Sequence, residues 1–322
     1  MMSFSKQVKE ELLEQKVEDD DVALAFLCGV VRSIGKIETI KEQTNVYVVT
    51  DVAGLYEYCN SILKMLYGDF AELEIAEKSI INKTLYYNIK FPESSAFQIL
   101  QDIGIVKLTA KGYEMMSEVD SYVLKNEDCI RAYIKAVFLS CSTNSIKISE
   151  KPSEKSSSGY HLEFTSHDKD FLNEFSTILA SKNIFARLVE RKNVFVLYLK
   201  DATSISDLLA LIGAENAMLI LQNEMAAREM RNSVNRQINC FSANIEKTVN
   251  ANIKQLEAIE IINTTIGMDS LSEELQEVAL LRLANTEESL QDLVKLSGLK
   301  LTKSGINHRM KKIMKIAEEL RD

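Results

Sequence analysis

No C-x-x-C pair joins any of the five cysteines, Cys28, Cys59, Cys129, Cys141 and Cys240, so the spacing supports neither a disulfide framework nor a zinc ribbon. They read as packed free thiols. Three histidines, His161, His167 and His308, are too few and too dispersed for a metal site of the His-rich kind, and no metal or cofactor is expected. No apolar run approaches the roughly 18–20 residues of a membrane span. The opening MMSFSKQVKEELL carries charge where a signal peptide needs an apolar stretch, so a cytoplasmic location without membrane contact is expected. Proline occurs twice, once inside EKPSEKSSSGY, which reads as a long exposed loop over Lys151 to Gly159. What is present is ordinary for a globular protein: 322 residues, 46 % hydrophobic and 26 % charged, enough to build two domains.

Basic residues are outnumbered, and a net charge of −9 looks unsuited to nucleic acid. Distribution matters more than the sum. Residues 1–222 hold 24 Lys and Arg against 32 Asp and Glu, whereas residues 223–322 hold 14 against 15. Within the second segment, Leu293 to Ala317 contains Lys295, Lys300, Lys303, Arg309, Lys311, Lys312 and Lys315 and no acid.

The first two thirds of the chain are a duplication. TLYYNIKFPESSAFQILQDIG (Thr84 to Gly104) lies over NVFVLYLKDATSISDLLALIG (Asn193 to Gly213) at a constant offset of 109. Each has a β-rich segment, a helix-period apolar set and a terminal Ile-Gly. Upstream, FLCGVVRSIG from Phe26 matches YIKAVFLSCS from Tyr133. Each copy, about 10–108 and 125–215, therefore reads helix, two strands, helix, two strands, helix. Gly29 and Ser33 in one copy, and Ala136 and Ser140 in the other, are small i, i+4 pairs that let two helices approach closely.

This arrangement resembles the LAGLIDADG homing-endonuclease fold. That resemblance implies paired helices ending in acidic residues that share a metal over a DNA groove, because Mg²⁺ takes hard oxygen ligands. Laying the motif over Leu27 to Gly35 puts the acid position at Ile34, and the second copy puts it at Cys141. The preceding motif acid falls on Arg32 and Leu139. Neither position can ligate Mg²⁺ as a carboxylate would, so no catalytic residue and no enzyme activity is expected.

From about Leu221 the pattern is helical only. EMAAREMRNSVNRQINCFSANIEKTVNANIKQLEAIEII has no Gly or Pro and many Asn; it reads as one or two connecting helices whose amides and arginines suit polar contacts. Three shorter helices follow, near Glu273 to Leu283, Glu288 to Leu296, and from Thr302 or Ser304 to about Leu320, with Gly298 at the turn before the last. The last carries Ile306, Met310, Ile313, Ala317 and Leu320 on one stripe and Lys303, Ser304, Asn307, His308, Lys311, Lys312 and Lys315 on the other side. A bracing helix, a turn and a basic helix make a helix-turn-helix, whose second helix enters the major groove.

The opening MSFSKQVKEEL, the segment VNRQINCFSANIEKTVNANIKQLEAI, the run IGMDSLSEELQEVALLRLANTEESLQDL and LTKSGINHRMKKI together resemble the WhiA family of bacterial DNA-binding proteins. The resemblance implies an α+β fold: a pseudo-twofold duplicated αββαββα LAGLIDADG-like domain (1–222), a helical connector (223–265) and an all-α helix-turn-helix domain (266–322). It further implies a transcriptional regulator or nucleoid-associated factor linked to cell division, chromosome segregation and sporulation, binding double-stranded DNA through its C-terminal domain; the acidic charge of the N-terminal domain points to a protein partner there. The family's recognition helix maps onto Thr302 to Ile313. Place on that helix assigns base contact to Ser304, Asn307, His308 and Lys311, and phosphate contact to Lys300, Lys303, Arg309, Lys312 and Lys315, with bracing of the helix packing as the alternative role for Arg309 at the edge of the apolar stripe. Two other classes stay open at this point: an endonuclease with relocated acids, and a scaffold that grips another protein.

Overall fold

A computed structural model describes residues 3–321 apart from 41–42, 77–84, 111, 147, 149–158 and 298–300. The proposed exposed loop Lys151 to Gly159 lies, but for Gly159, outside the described residues. Two compact units divide the chain, Met1–Arg228 and Glu229–Asp322.

The first unit opens with α1 (Phe4–Leu13) and α2 (Asp20–Ile34). The first repeat continues through β1 (Gly35–Ile40), β2 (Gln43–Thr50), α3 (Leu55–Tyr67), β3 (Glu72–Ala76), β4 (Tyr86–Lys90) and α4 (Ala96–Asp102). A small hairpin follows, β5 (Val106–Thr109) and β6 (Gly112–Met115), which the repeat pattern does not anticipate. Its strands are four residues long and mostly exposed, too short for period-2 alternation to stand out. The second repeat is α5 (Glu127–Cys141), β7 (Ser142–Asn144), β8 (Leu162–Ser166), α6 (Lys169–Ala180), β9 (Arg187–Arg191), β10 (Val194–Leu199) and α7 (Ala202–Leu211).

Both repeats fold alike in detail. Each makes a four-stranded antiparallel sheet of the same order, β1-β2-β4-β3 and β7-β8-β10-β9. The central helices are capped by the same chemistry: the Asp19 and Asn126 side chains accept the backbone N–H of Val22 and Cys129, and two acids follow in each first turn. The Ile-Gly stops are also equivalent. Gly104 and Gly213 both take a left-handed φ, +71° and +84°, and the next residue's N–H returns to Leu100 or Leu209 at 2.9 and 2.8 Å. That 6→1 bond after a left-handed glycine is a Schellman closure.

Helices α2 and α5 pack directly on each other in the middle of the core, and nearly all their apolar side chains are buried. Gly29 permits the approach. A Cβ there would lie 2.7 Å from both the Ala136 Cβ and the Tyr133 carbonyl oxygen. The fold is thus the duplicated LAGLIDADG-like arrangement expected from the sequence.

A single 51-residue helix, α8 (Glu215–Thr265), occupies the stretch expected to hold one or two helices and crosses the division between the units. The second unit closes with α9 (Glu273–Ala284), α10 (Leu290–Leu296) and α11 (Lys303–Glu319). No helix among the described residues is long and apolar enough to cross a membrane.

Candidate nucleic-acid interface

The last three helices fold around a small core of their own. Leu271, Leu275, Val278 and Ala279 meet Leu293 of α10, Ile306, Met310, Ile313 and Ala317 of α11, and Ala258, Ile259 and Ile262 from the end of α8. The 4-3-4 spacing of the α11 set puts all four on one side of that helix. Thr302 caps it, its hydroxyl accepting the Gly305 N–H at 3.2 Å. Burying one side fixes what the other side presents.

That other side is cationic. Lys303, Ser304, His308, Lys311, Lys312 and Lys315 are exposed, and Asn307 is half-buried beside them. Lys315 lies 3.7 Å from Glu319, a solvent-exposed pair that leaves its charge accessible. Arg309 is placed differently from the lysines: its guanidinium is half-buried and bonds Glu274 of α9 at 3.0 Å, tying the two helices together. Lys300 and the Gly298 turn lie outside the described residues.

The turn between α9 and α10 is held by two buried donors. Asn252 of α8 donates to the carbonyls of Thr286 and Glu288, both at 3.2 Å. Arg282 donates to Asn285 and Glu288 at 3.0 and 2.7 Å, with its side chain fully buried. Helical spacing places Arg282 on the α9 inner face, but nothing in the sequence marks it as a carbonyl clamp. The Asn-rich composition of α8 signals polar contacts without saying which amide makes them.

The other region that the sequence singles out is the C-terminal end of the α2–α5 pair. Ile34 is half-buried and ends α2; Cys141 is buried and ends α5. Burial pushes the Cys141 thiol up to about 12, while Lys9 pulls the other way. The metal of a LAGLIDADG nuclease does not fit this donor set: Ile34 offers no ligand, and Cys141 offers a protonated thiol where a carboxylate is needed. Arg32 stands at the other motif position. It forms a largely buried ion pair with Glu174 at 2.8 Å and also donates to the Ser117 carbonyl at 2.5 Å. Glu174 in turn accepts the Val119 N–H at 2.6 Å, so both groups are engaged in holding the connection into α5.

Comparison with known proteins agrees with this division. The WhiA C-terminal HTH domain matches residues 234–317, and the WhiA LAGLIDADG-like domain matches residues 130–231. A probable cell division protein WhiA from Clostridium botulinum is 35 % identical over 99 % of both chains. Its counterpart from Caldicellulosiruptor saccharolyticus is 37 % identical over 99 % of this chain and 96 % of that relative. The crystal structure of full-length WhiA from Thermotoga maritima, at 24 % identity, superposes over 99 % of both chains with a TM-score of 0.57 and shares the fold. With a duplicated domain, a C-terminal helix-turn-helix and full-length relatives at this identity, the chain belongs to the WhiA family.

Proposed function

We propose that this chain is a sequence-specific DNA-binding protein without nuclease activity, a regulator of transcription acting on the nucleoid in the cytoplasm. The processes it serves are cell division, chromosome segregation and sporulation. The observation that carries the reading is the outward face of α11: six exposed polar side chains, four of them lysines, opposite a face fixed in the core. A helix of this kind reads bases with its amide and hydroxyl groups and holds phosphates with its lysines. Asn307, Ser304, His308 and Lys311 take base edges; Lys303, Lys312 and Lys315 take phosphates, with Lys300 beside them in sequence. Arg309 positions α11 through Glu274 rather than touching phosphate directly. The relatives' name, probable cell division protein, supports the first of these processes.

The duplicated unit serves as a scaffold in this reading. Its excess of 32 acids over 24 bases is unsuited to phosphate and suits a protein partner. Genome-wide mapping of bound DNA, with the full chain and with residues 223–322 removed, tests the proposal. Discrete sites lost on truncation are expected. Unchanged mapping after truncation, or chelator-sensitive cleavage of plasmid in Mg²⁺, would contradict it.

A further inference from the structure

Helix α8 carries an apolar stripe that nothing in its own unit covers. Met230, Val234, Ile238, Phe241, Ile245, Val249 and Ile253 recur every three or four residues, and each is between 47 % and 71 % exposed. Isolated exposed apolar residues are common, but seven at this spacing on a helix without Gly or Pro form a contiguous band that winds slowly around α8. At this exposure they offer roughly 600–800 Å², close to the roughly 800 Å² that each partner gives to a standard-size interface.

The stripe is symmetric about its own centre. Met230 and Ile253, Val234 and Val249, and Ile238 and Ile245 are equidistant from a point between Phe241 and Ser242. Two copies laid antiparallel across that point therefore match apolar residue to apolar residue in those three pairs on either side of the centre, with the two Phe241 rings meeting near the twofold axis. Antiparallel packing also opposes the two helix dipoles, which parallel packing would align.

From this self-complementary pattern we infer that the chain forms an antiparallel homodimer through residues 230–253 of α8, independently of DNA. Disulfide trapping in the full-length chain tests it, with the exposed Cys240 replaced by serine. Mixing a Met230→Cys chain with an Ile253→Cys chain should give a cross-linked dimer under mild oxidation, and Met230→Cys alone should not. Sedimentation of the wild-type chain at micromolar concentration should show a dimer, and Ile238→Glu with Phe241→Glu a monomer of unchanged helix content. A wild-type monomer at that concentration would overturn the inference, as would cross-linking of Met230→Cys to itself. Because no DNA enters these measurements, their outcome is separate from that of the DNA-binding proposal.

Discussion

Gly29 is the position where one methyl group matters most. In an exposed helix Gly→Ala gains about 1 kcal/mol from backbone entropy. Here the new Cβ would sit 2.7 Å from Ala136 and from a backbone oxygen, between two helices that cannot separate without opening the core. Gly29→Ala is therefore expected to destabilise by about 1–3 kcal/mol, the usual cost of overpacking, as read from urea denaturation. Lys135, on the neighbouring helix, behaves differently. Its ammonium is buried, donating to Gln15 at 2.9 Å and Tyr58 at 3.0 Å, and burial lowers it from 10.5 to about 8. Between those values the unfolded chain binds more protons than the folded one, so the Lys135 contribution rises with pH across that window and its penalty is complete below it. The stability advantage of Lys135→Met over wild type should fall steadily from pH 8 to pH 10.5. A constant difference would show that the amine is not desolvated.

At the scale of elements, capping and glycine chemistry make the duplication legible. Ile103-Gly104 and Ile212-Gly213 align in the sequence because both end helices that need a left-handed residue. The α11 stripe is equally plain, since Ile306, Met310, Ile313 and Ala317 keep helical spacing to the end. The β5–β6 hairpin is not, because four-residue exposed strands leave no periodic signal. Nor is the clamp on the α9–α10 turn: an Asn in an Asn-rich helix does not announce which carbonyl it will meet. Asn252→Ala should leave the surface charge of α11 untouched but strip the Thr286 carbonyl of its buried donor. A loss of about 0.5–1.5 kcal/mol is expected for such a bond, since the exposed Thr286 can turn to water, together with faster hydrogen exchange in α10. Unaltered exchange there would mean that Arg282 alone holds the turn.

Over the whole molecule, Ile34 and Cys141 stand where the LAGLIDADG motif carries its acids, while a separate helical unit presents the cationic face. The largely buried Arg32–Glu174 pair at the neighbouring motif position is a contact that sequence spacing could not reveal. On the DNA-binding proposal, α11 reads bases with one set of side chains and holds phosphates with another. Measuring Asn307→Ala and Lys312→Ala on a bound duplex and on a scrambled one, at two salt concentrations, separates the two roles. Asn307→Ala should lose about 1–3 kcal/mol on the bound duplex and almost nothing on the scrambled one. Lys312→Ala should weaken both alike and lower the salt slope of log K by about 0.9. Equal losses for Asn307→Ala on the two duplexes would contradict the account.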